Sequence, residues 1–177
     1  VYFPQRPHIV HRLDANTSGV MVLCKRKRIA TFVQKQFENR TVRKTYLARV
    51  HGNPQQETFS CDVALAREPD VGGIRMPDPA GDEASTDFEV VERFGDGTSL
   101  LRCFPKTGRT NQIRAHLWSM GFPILGDPAY LPDAQVGSNR TLLPGEPPMC
   151  LHAESIEFSG PDGEFFQFSA ASPSWIN

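Results

Sequence analysis

The apolar run Val20-Met21-Val22-Leu23 follows Ser18-Gly19, and residues 18–25 read as a buried strand. Ile29, Phe32, Val33, Gln36 and Phe37 then recur at helical spacing and predict an amphipathic helix over about 28–38. Residues 42–50 alternate. Val42, Lys44, Tyr46, Ala48 and Val50 share one side, and Arg43, Thr45, Leu47 and Arg49 the other, which predicts a strand stopped by Gly52 and Pro54. The segment 66–84 is rich in Pro, Gly and Asp and reads as a long excursion. Residues 86–94 and 98–104 form two strands about the turn Gly95-Asp96-Gly97. Thr110 is placed to cap a helix carrying Ile113, Leu117 and Trp118, ended by Gly121. After a loop-rich stretch at 131–149, strands are predicted at 151–158 and 164–169, joined by Gly160-Pro161-Asp162-Gly163. Many strands with two helices imply an α+β fold with a mostly antiparallel sheet.

The 177 residues fit one domain, 1–177. A hydrophobic share of 39% with 22% charge is that of a chain with an ordinary core. No apolar run approaches the ~18 residues of a membrane span, and no signal peptide is visible. The start, Val1-Tyr2-Phe3-Pro4, points to a processed, trimmed or partial chain. The net charge of -1 conceals a split. Residues 1–50 hold eleven Lys and Arg against only Asp14 and Glu38, whereas the remainder is acidic. That asymmetry suggests an anionic partner and a basic surface that is still continuous. The cysteines (Cys24, Cys61, Cys103, Cys150) lack any CxxC pairing and read as buried free thiols of a reducing compartment. The five histidines show no metal-ligand spacing, so no metal is expected.

The chemistry concentrates in two stretches. In His11-Arg12-Leu13-Asp14-Ala15-Asn16-Thr17-Ser18-Gly19 a lone acid sits in a basic field, at a polar turn backed by an apolar strand. Alone, that Asp reads equally well as a turn or cap residue, with Thr17 and Ser18 as turn formers. Residues 105–118 (Pro-Lys-Thr-Gly-Arg-Thr-Asn-Gln-Ile-Arg-Ala-His-Leu-Trp) place a helix N-terminus among Lys106, Arg109 and Arg114. Free amides, a positive helix end and three cations make an anion site, for an RNA phosphate or an internal carboxylate. Arg114 is placed to fork onto a buried carboxylate, which would lower that carboxylate's pKa. Tyr46 is either a packing residue or a ring that stacks on a nucleobase. Lys25-Arg26-Lys27-Arg28 opens the first helix against the macrodipole, which hints at phosphate contact.

These residues resemble the RluA-like family of RNA pseudouridine synthases. The likeness rests on four segments: His11-Arg12-Leu13-Asp14 through Gly19, Lys44 through Gly52, Thr107 through Leu117, and Gly126-Asp127-Pro128-Ala129-Tyr130. Leu151-His152-Ala153, Ile156 and Phe158 extend it. The resemblance implies a mixed, mostly antiparallel sheet with flanking helices, a central RNA-binding cleft between two subdomains, and isomerisation of uridine to pseudouridine in structured rRNA or tRNA. It makes Asp14 the catalytic aspartate, Arg114 its ion-pair partner, and Tyr46 the aromatic residue under the base. Arg12 fills the gap left by the flipped base, and Ile113 packs on the tyrosine. Thr17 joins the substrate-binding residues, and phosphates run over Lys25 to Arg28, Arg43, Lys106 and Arg109. The reaction needs no cofactor, and a cytoplasmic monomer acting on RNA is expected. The sequence departs from the family twice. Asn111 stands where the family usually has His, and an upstream strand with a Lys-Pro motif is missing, so the domain reads as N-terminally incomplete. The rival reading is a weakened RNA-binding or chaperone module that keeps the cleft.

Overall fold

The structure, a computed structural model, describes residues 6–70 and 72–176. Its centre is β4 (Arg43–His51), the alternating segment, paired antiparallel on one side with β7 (Thr98–Pro105) and on the other with β8 (Leu151–Ser159). Hairpin partners extend the sheet through β6 (Thr86–Arg93) to β5 (Thr58–Cys61). β9 (Phe165–Ser169) pairs with the second half of β8, and β2 (Ser18–Gly19) lies parallel to its first half. Every pairing in this sheet except β2 with β8 is antiparallel, so the mixed, mostly antiparallel α+β architecture stands.

Three apolar clusters among the described residues pack the helices against the sheet and its loops. Helix α1 (Lys27–Glu38) turns Ala30 and Val33 inward, with Ile29, Phe32 and Phe37 beside them, onto Val42, Ile156 and Phe158. Helix α2 (Gln112–Ser119) is buried on every side from Gln112 to Leu117. Ile113 and Leu117 join Ala48, Val50, Leu101 and Cys103, while Ala115 joins Leu65, Ile74, Ala129 and Tyr130. The long excursion over 66–84 is therefore the cover of α2's second face, which explains the weak amphipathicity of that helix. His116, fully buried, is satisfied by Thr86 Oγ1 at 3.0 Å and the Val63 carbonyl at 2.9 Å. All four cysteines are free and buried. No helix among the described residues is long and apolar enough to cross a membrane.

The expectation of one buried strand over 18–25 is not met. Two-residue strands stand in its place: β2, and β3 (Leu23–Cys24), which pairs with β1 (His8–Ile9). Gly19 has φ of +114°, and a Cβ there would lie 2.3 Å from the Ala153 carbonyl oxygen. The chain therefore bends where it touches β8, and Met21 and Leu23 face outward. Apolar composition alone misread a bent loop as a core strand. The cap at α2 also differs. Asn111, at φ 58°, is the N-cap and makes no side-chain capping bond, so Thr110 does not cap.

The β1–β3 pair closes a loop over residues 10–22 that carries Asp14. Thr17 N–H donates to the Asp14 carbonyl at 3.1 Å, closing the turn, and Val20 N–H donates to Ala153 at 2.9 Å. The Asn16 side chain donates to the Arg140 carbonyl and accepts from Leu142 N–H. Gly19→Ala is expected to cost about 1–3 kcal/mol of stability, measured by urea unfolding, because both φ and the Ala153 approach oppose a side chain.

Candidate active site

Asp14, Tyr46, Arg12, Thr17 and Ile113 line one cavity of about 260 Å³, together with His11, Lys44, Arg109 and Gln112. The volume lies near the lower end for small-ligand pockets. Asp14 arrives on the loop and Tyr46 on the central strand. Ile113 lies on α2 and belongs to the apolar cluster on which Tyr46 packs. The sequence thus named residues from three separate elements that the fold brings together.

The carboxylate of Asp14 accepts the Asn111 backbone N–H at 3.0 Å through Oδ2. Of the two anions the helix end could hold, the internal carboxylate is the one present. The left-handed backbone of Asn111, a conformation asparagine tolerates better than most residues, accompanies this contact. Asn111 also offers its side-chain oxygen to Arg114 Nη1 at 3.0 Å.

Arg114 is not the direct ion-pair partner of Asp14. Its Nε and Nη2 each donate to Asp127 at 2.7 Å, in a forked pair with both side chains fully buried. Its Nη1 goes to Asn111 and Asn139. Asp127 in turn accepts the N–H groups of Ala129 and Tyr130. The competing carboxylate was present in the Gly126-to-Tyr130 segment, but proximity along the chain could not reveal that it outcompetes Asp14. Arg114 acts on Asp14 through space and through Asn111.

This changes the charge state. Burial raises the pKa of Asp14, against the opposing pull of Arg114, the Asn111 amide and Arg12. The lowering expected from a forked pair does not occur. Tyr46 is pushed up to about 12, first by burial and then by the Asp14 charge, so at neutral pH it is a neutral phenol rather than a ready proton acceptor. His11 is held neutral by burial, stacks on Phe37 at 5.1 Å and accepts Val22 N–H through Nε2.

The phosphate residues separate. Arg12 and Arg109 reach the cavity, but Arg109 is engaged by Asp82 at 3.2 Å and by the Glu83 carbonyl. Arg43 and Lys106 line a second cavity, and Lys106 is paired with Asp87 at 2.7 Å. Lys25, just before α1, and Arg28, on its first turn, are exposed outside both cavity walls. Thr17 lines the first cavity with a buried hydroxyl that has no hydrogen-bond partner. Lys44 was missed as a site residue. Its Nζ donates to the Thr107 carbonyl at 3.0 Å, and burial lowers its pKa to about 8. The signal was available, since strand alternation already put Lys44 and Tyr46 on one side.

The chain is similar to known proteins. The family model described as RNA pseudouridylate synthase matches residues 2–119. An uncharacterized RNA pseudouridine synthase, YlyB of Bacillus subtilis, is 36% identical over 169 residues, which cover 95% of this chain and 53% of that protein. The dual-specificity RNA pseudouridine synthase RluA of Vibrio parahaemolyticus is 36% identical over 90% of this chain and 63% of its own. Ribosomal large subunit pseudouridine synthase C of Vibrio cholerae is 35% identical over 88% of this chain and 48% of its own. The chain thus spans about half to two thirds of these relatives. Among solved structures, human RNA pseudouridylate synthase domain containing 1 superposes with a TM-score of 0.81 at 27% identity, covering 95% of this chain and 70% of that one.

Two outcomes follow from the buried charges. Arg114→Ala strands Asp127 and is expected to lose about 3–5 kcal/mol of stability by denaturant titration. Asp14, with its pKa raised in the folded state, adds stability below its unfolded pKa and loses it as pH rises through the folded value. Asp14→Asn is therefore expected to melt higher than the parent at pH 7, with the gap closing as pH falls below the ordinary carboxylate range.

Proposed function

The chain belongs to the RNA pseudouridylate synthase family, and on that premise we propose that it isomerises uridine to pseudouridine within RNA. The observation that carries this reading is Asp14, a desolvated carboxylate with a single hydrogen bond on Oδ2, at the wall of a cavity shared with Tyr46. In the reaction the C1′–N1 bond breaks, the freed uracil turns, and C1′ bonds to C5. The proton on C5 leaves, and N1 of the product carries one, so nothing is oxidised or reduced.

Asp14 acts on the sugar, either by bonding to C1′ as N1 departs or by taking the C2′ proton on a glycal route. Both routes use an ionised carboxylate with a free oxygen, which the one-bond anchor to Asn111 leaves. The charge of Arg114, held 2.7 Å from Asp127, opposes the burial penalty without occupying that oxygen. Tyr46 supplies a flat neutral ring for the uracil while it turns. Extruding the base costs a few kcal/mol, less in a loop, and Arg12 at the rim is placed to fill the vacancy.

The substrate is a structured ribosomal or transfer RNA; the name of the Vibrio cholerae relative, a ribosomal large subunit pseudouridine synthase, supports the ribosomal reading. Residues 1–177 act as one catalytic domain, a monomer in the cytoplasm. The alternative, a binding module without turnover, is disfavoured because the Asp14 anchor, Tyr46 and the Arg114 clamp are all in place.

Release of tritium from C5 of labelled uridine in RNA measures turnover directly. The parent is expected to release label. Asp14→Ala is expected to release none while binding RNA with unchanged affinity, and turnover in that variant would remove the assignment.

A further inference from the structure

The Lys44 ammonium sits over the turn that enters α2. Its Nζ donates to the Thr107 carbonyl at 3.0 Å, and a Cβ at Gly108 would lie 3.7 Å from it. Thr107 and Gly108 line the Asp14 cavity and not the second one. On β4 the Lys44 side chain shares a face with the Tyr46 ring, roughly 7 Å along the strand. The other polar groups of this wall are already used. Arg109 is paired with Asp82 at 3.2 Å, and Arg12 bears on Asp14. Gln112 is bonded to Thr107, Ser85 and Thr86. Lys44 forms no ion pair among the described residues. The Thr107 carbonyl takes one of its three N–H groups, so two donors and an uncancelled charge remain.

Asp14 is anchored at the Asn111 amide and Lys44 at the Thr107 carbonyl, so the two charges are held at separate points of one wall. The charges that bear on Asp14 are Arg114, Arg12 and Asp127, whereas Lys44 bears on the ring of His11. That separation gives the ammonium a use. In the proposed reaction the C1′–N1 electron pair leaves with the base. On one route Asp14 becomes an ester at C1′, and on the other it takes the C2′ proton. In both, negative charge passes from the carboxylate to N1, O2 and O4 of the uracil. A cation beside Asp14 loses in that transfer what it gains. A cation apart from Asp14 and beside the base gains, and an interaction strengthened only in the transition state raises the rate. When C5 bonds to C1′ the carboxylate is restored, and the proton that C5 loses is matched by the one N1 gains. We infer that Lys44 is a catalytic residue of this site, its ammonium donating to a carbonyl oxygen of the uracil and holding the negative charge of the departed base. The neutral Tyr46 ring beneath the base supplies no such charge. Burial lowers the pKa of Lys44 only to about 8, so the ammonium is the main form at neutral pH. The inference rests on the proposed function, which supplies the departing base.

The test compares two leaving groups. The uridine that the parent isomerises is mapped in transcripts of bacterial large-subunit ribosomal RNA and transfer RNA. The RNA fragment around it is then made with either uridine or 5-fluorouridine at that position, the fluorinated base bearing negative charge more readily. Glycosidic cleavage is read with enzyme in excess, as loss of that nucleoside after digestion. Lys44→Gln, polar but uncharged, is expected to slow the uridine RNA by about 100-fold and the 5-fluorouridine RNA by only about tenfold. Its affinity for the uridine RNA, by fluorescence anisotropy, is expected to stay within about twofold of the parent's. Lys44→Arg keeps a cation and is expected to slow the two RNAs equally and by less. Equal slowing of the two RNAs by Lys44→Gln, unchanged rates, or a loss confined to affinity overturns the inference and leaves the proposed function standing. Lys44→Met decides by the same comparison if Lys44→Gln does not fold. A parent that isomerises no uridine in any transcript removes the proposed function and this inference with it.

Discussion

The forked pair between Arg114 and Asp127 is the constraint on which the site depends. A guanidinium with no solvent exposure is tolerable only when its donors are met, and here every arm is used: two on Asp127, one shared by Asn111 and Asn139. The pair ties α2 to the segment around residues 127–130. Its bond to Asn111 fixes the residue whose amide holds Asp14. Because Asp127 and not Asp14 receives the fork, the catalytic candidate keeps one oxygen uncommitted. A carboxylate clasped by both arms of an arginine would be fully ionised and poorly reactive. One anchored by a single amide, with the cation a step further away, is less solvated and less quenched.

Much of the fold was legible because alternation and helical spacing report local burial directly. The helix at 28–38, the strands at 42–50, 86–94, 98–104 and 151–158, and the excursion at 66–84 all depend on neighbours within one element. The failures are tertiary. Val20 to Leu23 looked like a core strand because its composition is that of one. Only Ala153, far along the chain, forces the bend at Gly19. Thr110 has the better capping side chain, yet the cap falls on Asn111, whose backbone turns toward an acid ninety-seven residues away. In the same way, a choice between two carboxylates for one arginine is a question of distance, which no spacing encodes.

The charge split read from the sequence also changes meaning in three dimensions. The basic first fifty residues suggested a continuous cationic surface. The structure instead sets acids of the 82–96 region against cations, Glu83 on Arg40, Asp82 on Arg109 and Asp87 on Lys106 at the cavity walls, and Asp96 on Arg49 away from them. Such exposed pairs are individually weak and exchangeable, so a phosphate can displace them. Each displacement, however, returns little net energy, because one ion pair replaces another.

That balance bears on how an RNA would be recognised. Along the two cavity walls, where Arg40, Lys106 and Arg109 are already matched, uncancelled charge is left at Arg12 and Lys44 in the first cavity and at Arg43 in the second. Affinity spread over a broad basic face would tolerate sliding, since every register offers similar contacts. A small number of unmatched charges around a narrow cavity does not, because moving the strand by one nucleotide forfeits most of them. The acidic half of the chain thus sharpens register at some expense in affinity. In the proposed reaction the half-buried Asp14 reaches only a sugar whose base has left its stack and entered a pocket built by three distant segments of the chain.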